Sequence, residues 1–334
     1  MTEEFTVKTT PKIVVIGGGS GQPVILRGLK KFDADLTAVI TVADDGGSSG
    51  TLREYLNIVP PGDIRNVMAT LSTLPQKIID IFQYRFHEND EMLANHALGN
   101  LIIAAMAEKE HDIFAGVQLL TKFMGIQGHV YPVANEPLIL HAKFKDGTEL
   151  SGEAEITAAH KQIDHIWVTP QPDSVNEVAQ APSEVINAIL NADVIVLGPG
   201  SLFTSILPNL VVPNVAEALK ATRAKVVYIA NIMTQKGETD DFSDADHLRA
   251  LNKHVGDNVV DAVIMNTGIV PDDYIDWKKW NEVSHQVAFD PEEVRHEGAI
   301  PVLGDLLELR DDGAFHDGDI VAQLIMQIAD AKEL

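Results

Sequence analysis

The chain has no cysteine. That excludes disulfides, zinc ribbons, iron–sulfur clusters and a thiol nucleophile at once. Basic residues are scarce: 25 Lys and Arg stand against 49 Asp and Glu, a formal charge of −24. This balance argues against sequence-independent binding of DNA or RNA, which needs clustered cations to release counterions. It argues equally against docking on anionic lipid. No apolar run approaches the ~20 residues of a membrane span. The opening Met1-Thr2-Glu3-Glu4-Phe5 lacks the basic-then-apolar plan of a signal peptide. The expectation is a soluble cytoplasmic protein with neither a nucleic-acid nor a membrane partner. Catalytic signatures are missing as well. There is no Gly-x-Ser-x-Gly, no His-Glu-x-x-His, and no metal-ligand spacing among the 12 histidines.

What is present is apolar bulk: 45% of the 334 residues are hydrophobic. A chain of this length buries roughly 75% of its unfolded surface, so a large core is expected. No linker is long or low in complexity. Residues 11–330 therefore read as a single domain after a flexible tail at 1–10. The run Ile13-Val14-Val15-Ile16 fits a strand buried on both faces, as in a parallel sheet. It enters Gly17-Gly18-Gly19-Ser20-Gly21, a helical pattern from Pro23 to about Lys31, and a second strand over Leu36–Val42. This is a βαβ unit. Residues 63–125 read as mainly helical, with Met92–Lys109 as a deeply buried helix. Residues 130–170 turn to β alternation, with a hairpin signal at Lys145-Asp146-Gly147-Thr148 and a strand over Ile163–Thr169. The strand, glycine loop, helix plan returns at Ala192–Ser201. Asn214 is placed to cap a helix over Val215–Thr222, and Ser243 with Asp246 forms a capping box. Lys225–Ala230 and Val259–Asn266 are strands, and Ile320–Ile328 is a closing helix. The fold class is α/β: a Rossmann-like, mostly parallel sheet flanked by helices, with a small antiparallel β insertion at about 130–170.

Chemistry is expected where strands end. Glycines let the backbone turn sharply and approach a phosphate, while the next helix offers free N–H groups. Gly18, Gly19, Ser20 and Gly21 are therefore phosphate-binding candidates, although a plain tight turn uses the same residues. Gln22-Pro23 stands where a P-loop has lysine, and Gln22 replaces the third glycine of the dinucleotide fingerprint. Asp44 and Asp45, closing the second strand, suit a ribose hydroxyl or a hydrated Mg²⁺, the one cofactor suggested; a solvated turn is the plainer alternative. Asp63 would cap a helix whose first turn holds Arg65 and Asn66. The helix dipole disfavours arginine there unless it meets an anion or a surface ion pair. On a helix, Asn95 and Gly99 share one face, and His96 and Asn100 another. Unpaired amides are costly to bury, so Asn95 and Asn100 would line a polar pocket or cap a neighbour. His96 reads as structural before catalytic. Gly198, Gly200 and Ser201 would bring a second helix end to the carboxyl edge of the sheet, where ligands bind. Asn231, Thr234 and Gln235 end a further strand there and would read a sugar or base, unless they form a solvated loop.

These segments, in this order, resemble the YvcK group of bacterial proteins, provisionally labelled gluconeogenesis factors. That group belongs with the CofD-like proteins, named after 2-phospho-L-lactate transferase. The carrying runs are Ile16-Gly17-Gly18-Gly19-Ser20-Gly21, Ala43-Asp44-Asp45-Gly46-Gly47-Ser48-Ser49-Gly50, Pro61-Gly62-Asp63-Ile64-Arg65-Asn66, Asn95-His96-Ala97-Leu98-Gly99-Asn100-Leu101, Gly198-Pro199-Gly200-Ser201-Leu202-Phe203-Thr204-Ser205 and Asn231-Ile232-Met233-Thr234-Gln235-Lys236-Gly237-Glu238-Thr239. The resemblance spans about residues 12 to 328. It implies a cleft for a UDP-sugar, notably UDP-N-acetylglucosamine, and a part in cell shape and wall synthesis on gluconeogenic carbon sources. The transferase branch moves a phospholactyl group to a deazaflavin with Mg²⁺. The run Asp44–Gly50 is similar to the YvcK branch instead. The leading expectation is a ligand-binding regulator with a regulated protein partner. A Mg²⁺-dependent phosphoryl-type transferase and an NAD(P)-binding protein are the rivals.

Overall fold

The computed structural model describes residues 10–332 except 88, 91, 173, 175 and 272; the tail expected at 1–10 lies outside them but for its last residue. A parallel sheet of seven strands organises the molecule. Its strands are β1 (Lys12–Gly17), β2 (Asp35–Ile40), β3 (His129–Pro132), β4 (Val194–Leu197), β5 (Lys225–Ile229), β6 (Ala262–Asn266) and β7 (Ile300–Gly304). In space they run 7-6-5-4-1-2-3, every neighbour parallel. The central strands read as unbroken apolar runs because both faces are covered: after Lys12 every residue of β1 is buried, as is all of β4. The order reverses between β1 and β4. That switch point opens a crevice at the strands' carboxyl ends, and both glycine loops leave from it.

Three helices near the crevice matter below: α1 (Gly21–Leu29), α2 (Gly47–Leu56) and α3 (Pro61–Leu71). The chain keeps α1 by filling its base with Gln22, which is fully buried. Its Nε2 donates to Val15 O at 2.9 Å and Val39 O at 3.0 Å, tying β1 to β2. Outside the main sheet, Leu138–Phe144 pairs antiparallel with Glu149–Ser151 and Ile163–Pro170, which is the expected insertion. Its hairpin turns at 145–148 as expected. His129–Pro132, however, is an edge strand of the main sheet and not part of the insertion.

Several boundaries differ for local reasons. Helix Leu98–Glu110 starts six residues after Met92, because Asn95 takes a left-handed turn at φ 63°. Leu101 and Ile102 in it are only half-buried. Pro213 opens its helix behind Val212, so Asn214 does not cap it; Asn214 instead bridges the N–H and C=O of Ala181. Asp63 is likewise no N-cap, since α3 begins at Pro61. The Ser243 and Asp246 capping box forms as read. Strands Leu307–Arg310 and Gly313–His316, joined through the positive-φ pair Asp311 and Asp312, make a tight hairpin. It packs with Ile232, Met233, Ile275 and Trp280 in a small second core beside β5. No single helix among the described residues is long and apolar enough to cross a membrane.

Candidate functional site

The two glycine loops touch at the switch point. A Cβ on Gly21 would lie 2.4 Å from Pro199 O, so only glycine lets the start of α1 pass the second loop. That loop turns sharply at Gly198, φ 86°, and Ser201 caps the short π-helix Leu202–Ile206 by accepting from Thr204 N–H at 3.3 Å. Fully buried Asn209 locks the loops together, donating to Gly17 O at 3.1 Å and Ser205 O at 2.8 Å. Asn231 Nδ2 donates to Gly200 O at 2.9 Å, which adds the end of β5 to the same frame.

Beside this frame lies a cleft of about 260 Å³. The glycine loops line it with Ser20, Gly21, Gly200 and Ser201, and the segment after β5 with Asn231 and Gln235. The C-terminal hairpin adds Arg310, Phe315 and His316 to the lining, and Trp280 packs against it. Trp280 and Phe315 meet edge to face at 5.1 Å, and the Arg310 guanidinium lies 4.3 Å over the Phe315 ring. His316 sits 3.0 Å from Ala230 O. Burial lowers it to about 4, so at neutral pH it is an uncharged donor from Nε2 to that carbonyl. Gln235 Oε1 is buried and meets no donor among the described residues. Among the lining residues Arg310 is the cation and Glu282 the carboxylate. An uncapped helix end, a guanidinium, two aromatic faces and free amide chemistry can together hold a phosphate-bearing aromatic or sugar ligand.

The sequence reading named Ser20, Gly21, Gly200, Ser201, Asn231 and Gln235, and the fold brings these to one cleft. It did not name Trp280, Arg310, Phe315 or His316, although the Asp311-Asp312-Gly313 turn was a readable hairpin signal. Thr234 stands apart: it is fully buried and its hydroxyl donates to His285 O. Gly198 is buried in the turn. Gly18 and Gly19 face α3 instead of the cleft, for Asp63 Oδ2 accepts the Gly19 N–H at 2.6 Å. Burial first, then Asp44, raises the Asp63 carboxyl to about 6, against the Gly19 bond and Arg65, which lower it.

The remaining candidates form a separate network. Asp44 Oδ1 accepts Gly46 N–H at 2.9 Å, while Asp45 caps the insertion by accepting Glu153 N–H at 3.1 Å and Ala154 N–H at 2.8 Å. Both oxygens of Asp45 thus face backbone N–H groups of the insertion. Asp44 Oδ1 and both Asp45 oxygens each accept one backbone N–H, and no cluster of three metal-ligating side chains occurs among the described residues. Glu153 is raised to about 7 by burial and by Asp44, Asp45 and Glu238. Arg65 donates to Asn100 Oδ1 at 3.0 Å and Asn66 Oδ1 at 2.8 Å, so those two amides hold the arginine. Asn95 and His96 lie before the helix, not on it. Asn95 is exposed, and its carbonyl accepts from Arg85 at 2.5 Å.

Comparison with known proteins agrees with this architecture. The family model described as 2-phospho-L-lactate transferase CofD matches residues 13–307. A Lactococcus lactis relative, provisionally named a gluconeogenesis factor, is 49% identical over 325 residues, 97% of this chain and 99% of its own length. A Listeria innocua relative named gluconeogenesis factor is 42% identical over 97% of this chain and 98% of its own. A crystal structure of a Bacillus halodurans protein superposes with a TM-score of 0.90 at 40% identity, covering 95% of this chain and all of that one. The chain therefore belongs to the CofD family and, within it, to the group of gluconeogenesis factors known as YvcK.

Proposed function

We propose that the protein is a cytoplasmic nucleotide-sugar-binding regulator whose cleft takes a ligand of the UDP-N-acetylglucosamine type. One observation carries the reading. At the switch point, an uncapped helix N-terminus at Ser20–Gly21 and the Arg310 guanidinium line the same cleft, with Trp280 and Phe315. A diphosphate in this cleft would meet the positive potential of the α1 end and of Arg310. The rings offer faces to a base or sugar, and Gln235 Oε1 accepts one of its N–H or O–H donors. Of the lining groups, the Ser201 hydroxyl donates to Glu238 at 2.9 Å and His316 is held neutral against a carbonyl. The reading is of binding without turnover. The relatives' names support a role in growth on gluconeogenic carbon, and the resemblance extends this to cell shape and wall synthesis through a regulated protein partner.

Calorimetric titration with UDP-N-acetylglucosamine, with and without Mg²⁺ and with NAD and NADP as controls, tests the reading. Saturable UDP-sugar binding with no product formed supports it. Binding of NAD or NADP in its place reassigns the cleft to a dinucleotide. The family description favours one other reading, a phosphoryl-type transferase. Metal-dependent turnover lost in Asp44→Asn would establish it.

A further inference from the structure

His316 is held by one ring nitrogen and free at the other. Its Nε2 donates at 3.0 Å to the carbonyl of Ala230, the residue after β5. A carbonyl only accepts, so the proton of the neutral ring stands on Nε2 and Nδ1 keeps a bare lone pair. The ring is neutral at pH 7, because burial outweighs the raising effect of that same bond. Nδ1 has no hydrogen-bond partner among the described residues, and it is not one of their sealed, unpaired polar atoms. His316 is half-buried and lines the cleft, where this lone pair stands open.

The place of the ring is fixed from both sides along the chain. His316 pairs with Leu307 in the hairpin, and the next N–H, of Asp317, donates to Leu306 O at 2.7 Å. Asp317 then caps helix Gly318–Asp330 by accepting from the N–H groups of Asp319 and Ile320. That helix lies directly on α1. A Cβ on Gly28 would fall 2.1 Å from Gly318 O, and one on Gly318 would fall 2.5 Å from Val24 O. The ring is thereby set against the same helix whose N-terminus lines the cleft. Other polar side chains there are already engaged. Asn231 donates to Gly200 O and accepts from Tyr228, and Ser201 donates to Glu238 and accepts from Thr204 N–H. Besides the exposed Ser20 and Glu282, the side-chain acceptors left in the lining are His316 Nδ1 and the buried Gln235 Oε1.

We propose that His316 is a specificity-determining residue of the cleft, whose Nδ1 accepts one O–H or N–H hydrogen of the bound ligand. The inference rests on the nucleotide-sugar reading and adds a division of labour to it. Ionised phosphate oxygens only accept, so they gain nothing from a neutral lone pair and go to the α1 end and Arg310. A hydroxyl or amide hydrogen, on the hexose or on the nucleotide, goes to His316. A ligand without that hydrogen leaves the lone pair unpaired and binds more weakly.

The test uses the two amide side chains, each of which imitates one nitrogen of a histidine. Full-length wild type, His316→Gln and His316→Asn are titrated by calorimetry with UDP-N-acetylglucosamine and with UDP, and each is checked by thermal melt. Glutamine carries its amide nitrogen where Nε2 stands, so His316→Gln keeps a donor for Ala230 O and loses the acceptor. Asparagine reaches no farther than Nδ1, so His316→Asn offers its Oδ1 there and loses the bond to Ala230. His316→Gln is expected to bind UDP-N-acetylglucosamine roughly tenfold more weakly than wild type, and His316→Asn to stay closer to wild type. A loss confined to UDP-N-acetylglucosamine supports the proposal with the donor on the hexose; an equal loss for UDP supports it with the donor on the nucleotide. Wild-type affinity in His316→Gln for both ligands overturns it. So does a loss in His316→Asn that equals or exceeds the loss in His316→Gln, the pattern of a ring that only props Ala230. No binding of either ligand by wild type overturns the nucleotide-sugar reading, and this inference with it.

Discussion

The first glycine loop divides two unlike places. On one side lies the cleft, walled by aromatic rings and an arginine whose guanidinium is partly in solvent. On the other lies the junction of three helix ends, where an arginine is buried and held by two amides. The loop itself belongs to both. Its last residues, Ser20 and Gly21, face the cleft, whereas Gly19 is taken by Asp63 from the junction side. The difference teaches that a glycine-rich loop is not a phosphate site by composition alone. Which of its amides are free depends on the groups that other elements bring against it.

The comparison breaks most readily at the point where the loops touch. Gly21→Val should force Pro199 away and cost about 1–3 kcal/mol of stability from overpacking, with UDP-sugar binding lost. Thermal melts and calorimetry read both, and wild-type affinity in this variant would show that the loops need not touch. Arg310→Ala should weaken UDP-sugar binding by roughly 10- to 100-fold, the worth of a charged hydrogen bond. An unchanged Kd would remove the diphosphate from that wall. Trp280→Ala should cost less, on the order of tenfold, through lost ring contact, and an unchanged Kd would show that this ring does not meet the ligand.

The smallest effect separates the junction by pH. Asp63 and Glu153 have folded values of about 6 and about 7, above their ordinary 3.8 and 4.5. A carboxyl raised on folding contributes stability below its unfolded pKa and loses it as pH rises through the folded value. Stability should therefore fall as pH rises from about 4 to about 7. Asp63→Asn keeps an acceptor for the Gly19 N–H and should flatten that slope. Melting curves at pH 5 and pH 8 decide it, and an equal slope in the variant would show that Asp63 is not the group responsible.

Much of this molecule is legible locally. The β-branched run before Gly17 reads as a doubly covered strand, and it is one; the Ser243 box and the 145–148 hairpin hold for the same reason. Periodicity, caps and turns act over a few residues, so they survive without knowledge of the fold. Pro213 overrode Asn214 by opening the helix earlier, and the left-handed turn at Asn95 cut short a helix that composition alone would extend. The candidate site was half legible. Ser20, Gly21, Gly200 and Ser201 announce themselves by glycine at strand ends, while Arg310 and Phe315 belong to a hairpin that carries no ligand motif, and Trp280 to the segment packed against it.

By itself the sequence determined the α/β class, the two glycine loops at strand ends and the kinship with the YvcK group, because each rests on short-range pattern or on motifs in order. Only the tertiary structure decided that the strands order as 7-6-5-4-1-2-3, that the hairpin at 307–316 walls the cleft, that Asp63 occupies Gly19, and that three helix ends close on Arg65. Those facts depend on which distant surfaces bury one another. Burial of apolar area is non-directional and leaves no periodic mark on the residues that end up as neighbours.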